Sequence, residues 1–136
     1  MRRILSIMIG VAAIGSGAIA QDVEVDLSEG RETFFTYCAT CHGIEARGDG
    51  PMASMLVLTP PDLTDLARQN GGTFPRAFVI ARIDGRDPLL AHGSPMPVYG
   101  DYFEGRGVTM RDEGGELVMT SQPVVDLVEW LESIQN

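Results

Sequence analysis

The chain predicts an all-α domain of short helices joined by long loops, with one small β-hairpin set into it. Three observations carry that expectation. Apolar residues recur at helical spacing in short runs, as at Leu127, Leu131 and Ile134. Sixteen glycines and eight prolines among 136 residues break the chain between those runs. One stretch, VTMRDEGGELVMT at 108–120, instead alternates apolar and polar residues around Gly114-Gly115, as a hairpin does.

The elements follow in order. MRRILSIMIGVAAIGSGAIA, residues 1–20, has a positive start at Arg2 and Arg3, an apolar run, and an Ala18-Ile19-Ala20 close. That is the pattern of a cleaved secretory signal peptide, and it places the protein in the periplasm. A membrane anchor would need roughly 20 unbroken apolar residues, and Gly15-Ser16-Gly17 interrupts this run. Residues 21–27 form a flexible lead-in, and the domain occupies 28–136.

A helix is expected from Ser28, as N-cap, to Ala39, with Glu29 and Glu32 in its first turn where the helix dipole favours negative charge. Pro51 starts a short helix through Leu58, since a first-turn proline loses no hydrogen bond. Met52 and Met55 on that helix read as core filler. After Thr59-Pro60-Pro61, DLTDLARQNGG forms another short helix ending at Gly71. Pro75 opens FPRAFVIARIDG, which ends at Gly85. Residues 87–107 are irregular. In the hairpin Met110 and Met119 stand at facing positions and pack against each other. The last helix runs from Gln122 to Ile134 behind Ser121 as N-cap.

With residues 21–136 left after cleavage, there is room for one small domain. A large apolar cofactor would materially enlarge the core of so small a chain. Loss of Arg2 and Arg3 takes the formal net charge from −9 to −11, and the chain has no lysine. So acidic a surface argues against nucleic acid and anionic membranes, and fits a partner with a basic docking patch.

The two cysteines of the chain stand together in CATCHG at 38–43, with His42 directly after the second. A thiol redox pair of this spacing normally follows a strand, and Phe34-Phe35-Thr36-Tyr37 reads as helix. Structural zinc takes four ligands, and His92 is the one other residue of a common soft-ligand type. A plain disulfide would leave His42 without a role. Cys-x-x-Cys-His specifies covalent haem attachment: Cys38 and Cys41 each add to a vinyl group, and His42 supplies the proximal nitrogen to iron. The other ring nitrogen needs an acceptor, for which the carbonyls of Pro51 and Pro61 are candidates, with Pro51, nearer in sequence, preferred.

The opposite face of the iron decides between electron transfer and catalysis. Met96 stands between Pro95 and Pro97 in HGSPMPVYG, a stiffened loop without apolar periodicity. A methionine presented there suits an axial ligand that raises the reduction potential. His92 is the alternative ligand and would lower it. Arg76, Arg82 and Arg86 are candidates to pair the haem propionates.

With CATCHG and SPMPVYG in place, the sequence resembles a class I c-type cytochrome, a small secreted bacterial monohaem electron carrier, from about Gly30 to Ile134. The resemblance implies a cytochrome c-like fold whose N-terminal helix, carrying Gly30 and Phe34, crosses a C-terminal helix carrying Leu127 and Trp130. CHGIEARGDGPMASMLVLTPPDLT is similar to a subgroup that occurs as free carriers and as haem subunits of larger dehydrogenases or oxidases. The 108–120 insertion is longer than the minimal family pattern, and it would serve either partner contact or haem shielding. The function expected is periplasmic one-electron transfer, without enzymatic activity of its own, through one haem c ligated by His42 and Met96. An electron-relay subunit and a haem enzyme or sensor with an open sixth position are the alternatives.

Overall fold

A computed structural model of the chain describes residues 26–86, 96–100 and 103–136. The signal segment at 1–20, most of the lead-in, His92, and residues 87–95 and 101–102 of the irregular segment lie outside the described residues.

The order is α1 (Ser28–Tyr37), α2 (Ala39–His42), α3 (Leu66–Gln69), α4 (Arg76–Asp84), β1 (Gly107–Arg111), β2 (Leu117–Ser121) and α5 (Gln122–Ser133). Short 3-10 turns at Ala53–Met55 and Leu63–Asp65 link α2 to α3. The domain is mostly helical with one two-stranded antiparallel sheet, as expected.

Its foundation is the crossing of α1 and α5. A Cβ on Gly30 would lie 2.0 Å from the Asp126 carbonyl oxygen, so only glycine allows the two backbones to approach this closely. One turn on, Phe34 is 0% exposed and meets Trp130 at a ring-centroid distance of 4.6 Å. Leu127 and Val128 of α5 are buried as well, and the Gly30, Phe34 and Trp130 contacts are those the family resemblance implied.

Several local expectations change. Helix α1 stops at Tyr37, two residues early, because Cys38 sits at φ −110° and turns the chain into α2. Ser28 is not the cap; its N–H donates to Asp26 Oδ1 at 3.0 Å, and hydrogen bonding from the Ser28 side chain first, then from this N–H, holds that carboxyl below its ordinary range. Ser121 does occupy the residue before α5, but its Oγ is buried without a hydrogen-bond partner, and Pro123 in the first turn sets the helix start. The helix expected at 51–58 shrinks to one 3-10 turn. A turn that short has no face to bury, so Met52 and Met55 are exposed rather than core, Met55 by 75%.

The hairpin forms where expected, but its methionines do not face each other. Met110 pairs across from Val118 and Met119 from Thr109, so alternation sends the two to opposite faces of the sheet. Met110 is 9% exposed and joins the core, while Met119 is 69% exposed.

Candidate functional site

The stretch after α1 folds mostly on itself. The His42 N–H donates to the Cys38 carbonyl at 2.9 Å, and the Gly48 N–H to the His42 carbonyl at 2.8 Å. Gly50 and Met52 N–H groups return to the carbonyls of Cys41 and Thr40 at 3.2 and 3.0 Å. This compact loop fixes both cysteines and His42 on one side of α2. Cys38 and Cys41 are half-buried and not bridged to each other.

His42 is 8% exposed. Burial lowers its pKa, and the Pro61 carbonyl acts in the opposite direction. The ring is therefore held neutral, with a lone pair to offer. Of the two carbonyls open from sequence, Pro61 is the one that acts on the imidazole; Nδ1 is buried and lacks a hydrogen bond of good geometry. Burial, and then the neighbouring Cys41, push the Cys38 thiol up to about 12.

These groups open onto a cavity of about 450 Å³. Phe34 and Tyr37 of α1, Leu63 and Leu66, Phe78, Val79 and Ile83 of α4, and Leu127 and Leu131 of α5 line it. Pro60 and Pro61 close one side. Cys38, Cys41 and His42 reach it from one segment, and Met96, followed by Pro97 and Tyr99, from another more than fifty residues away. The structure thus brings all four sequence-derived site residues to one cavity.

The Met96 segment is held at its far end. The Tyr99 N–H donates to the Ile83 carbonyl at 2.8 Å, and the Tyr99 hydroxyl to the Tyr37 carbonyl at 3.2 Å, next to Cys38. Tyr99 also stacks on Phe103 at 5.2 Å. No role for Tyr99 follows from sequence, although its place three residues after Met96 was a usable signal.

The three arginines separate. Arg76 pairs with Glu132 at 2.7 Å, and Arg86 with Asp84. Arg82 alone of the three lies on the cavity wall, with its guanidinium 5.5 Å from the Phe78 ring centre.

An apolar cradle with two thiols, a neutral imidazole and a thioether on its wall fits a tethered haem. Among the described residues no three His, Cys, Asp or Glu side chains gather as a metal-ligating group, and His92, on which the zinc alternative draws, lies outside them. The family model for cytochrome c matches residues 27–135. The chain belongs to the cytochrome c family. No curated protein and no solved structure matches it.

Membership implies covalently bound haem c and haem-based electron transfer, and the Cys38–Cys41 spacing is consistent with that attachment. In this cytochrome Cys38, Cys41, His42 and Met96 all line one cavity, to which α1, α4 and α5 supply apolar walls.

Proposed function

We propose that this cytochrome is an exported, class I one-electron carrier of bacterial type, with His42 and Met96 as axial ligands of one haem c bound through Cys38 and Cys41. The observation that carries the reading is the common cavity: two segments far apart in sequence present a nitrogen donor and a thioether donor to the same apolar space. When bound, the haem supplies reversible one-electron chemistry at iron.

The protein's own groups do the rest. Cys38 and Cys41 tether through thioethers. His42, neutral because buried, offers its nitrogen, and the Pro61 carbonyl orients the ring. Met96 would offer its thioether sulfur to the same iron, and a metal held by two protein ligands in both oxidation states would need little rearrangement. The leucine, isoleucine and phenylalanine walls would keep water from the bound group, which favours a high potential. Arg82 is placed to pair a propionate. Electrons leave to a partner with a basic docking patch, drawn by a surface that the chain's net charge of −9 makes strongly acidic. The signal-like segment at 1–20 supports a periplasmic site of action.

Absorption spectra of the ferric and ferrous protein, before and after Met96→Ala, test the reading. The wild type should show a methionine–iron charge-transfer band and resist CO when reduced. Met96→Ala should lose the band and bind CO. A band that survives the substitution removes Met96 from the iron, and CO binding by the wild type favours the open-site enzyme or sensor.

A further inference from the structure

No residue of the hairpin at 107–121 lines the cavity. The hairpin is nevertheless bonded to both ends of α4. At the N-terminal end Glu113, in the hairpin turn, accepts from the Ala77 N–H through Oε2 at 3.2 Å, and the Arg111 carbonyl accepts from Arg76 Nη1 at 3.4 Å. Pro75 offers no side-chain cap there. Glu113 therefore satisfies an amide the helix leaves open and sets a negative charge at the positive end of its dipole.

At the other end of α4, Thr120 Oγ1 donates to Asp84 Oδ2 at 3.3 Å. The Asp84 side chain is 9% exposed and also takes the Arg86 guanidinium and, at 3.3 Å, the Arg86 N–H. The Met96 segment docks on this same end. Tyr99 bonds the Ile83 carbonyl, and Gly100 lies over the Asp84 carbonyl. Val98 sits on Gly85, where a Cβ would be 2.2 Å from Val98 Cγ1.

We propose that the hairpin is a splint for α4, in which Glu113 and Thr120 are positioning residues that hold the Met96 segment to the cavity wall through Asp84 and the C-terminal end of the helix. Its consequence for iron ligation rests on the reading of Met96 as an axial ligand. The splint itself stands on the contacts at the two ends of α4.

The test uses the haem-loaded protein with Thr120→Val, with Glu113→Ala, and with Thr120→Ser as the conservative replacement. Amide hydrogen exchange at Tyr99 reads the splint, and the ferric methionine–iron band reads ligation. Each of the first two variants should speed Tyr99 exchange about three- to tenfold, the effect of one ordinary hydrogen bond. Exchange at Leu127 and Val128 should stay at the wild-type rate, Thr120→Ser should restore Tyr99, and the band should weaken as Tyr99 opens. Faster Tyr99 exchange with no methionine band in any protein, wild type included, supports the splint and overturns Met96 as ligand. Unchanged Tyr99 exchange, or equal acceleration at Tyr99, Leu127 and Val128, overturns the splint whatever the band does.

Discussion

The cavity wall that carries Cys38, Cys41 and His42 differs in construction from the wall that carries Met96. From Cys38 to Met52 most backbone hydrogen bonds close within about ten residues, as from Gly48 to His42 and from Gly50 to Cys41. The Met96 segment holds on instead to distant partners: its Tyr99 reaches Ile83 through its N–H and Tyr37 through its hydroxyl. Short closures cost little chain entropy, whereas distant ones require the rest of the fold to be in place first. The cysteine wall is therefore a local structure leaning on the fold, and the methionine wall is a product of it. A ligand on the second wall is the one that can be loosened without unfolding the protein.

The largest way to break the contrast is to remove what both walls share. Phe34 lies under the cavity and in the α1–α5 crossing, and Phe34→Ala should cost about 3–5 kcal/mol by denaturant unfolding. Both walls should then loosen together, with exchange rising at His42 and Tyr99 alike.

A smaller change should separate them. Gly85 ends α4 in the left-handed region at φ +80°. Gly85→Ala should cost about 1–2 kcal/mol for that backbone conformation alone, and it also pushes Val98 away. Tyr99 exchange should rise well before that of His42. Equal effects at the two sites would erase the distinction between the walls.

The smallest effect is a control on α5. Burial first, then Asp126 and Glu132, raise the Glu129 pKa, with Arg76 opposing. The folded protein thus keeps this proton to higher pH than the unfolded chain, and stability falls as pH rises from the unfolded value toward the folded one. Glu129→Gln should therefore stabilise at neutral pH, by no more than about 0.5 kcal/mol for so partly exposed a site. The gain should fade below about pH 4.3, where the unfolded carboxylate is itself protonated. Thermal unfolding across pH measures it, and the difference in exchange between His42 and Tyr99 should not change.

Much of this was legible in the chain because it depends on neighbours in sequence. Cys-x-x-Cys-His names its own chemistry, and Gly30 with Phe34 marks one face of one helix. The alternation around Gly114-Gly115 located the hairpin within a residue at each end. Where the reading failed, the missing information was tertiary. Met52 and Met55 have core composition but stand on a turn too short to bury them. Met110 and Met119 could be paired only by a register that the alternation leaves open.

The residues alone determined the attachment motif and the helical class, since each is a matter of local spacing and side-chain chemistry, while the crossing at Gly30 was implied by the family resemblance. Tertiary structure alone decided that Pro61 rather than Pro51 faces His42, that Arg82 and not Arg76 or Arg86 reaches the cavity, and that the hairpin grips α4. Each of these is a choice among chemically equal candidates. Such choices are made by which of them the packed helices bring within reach.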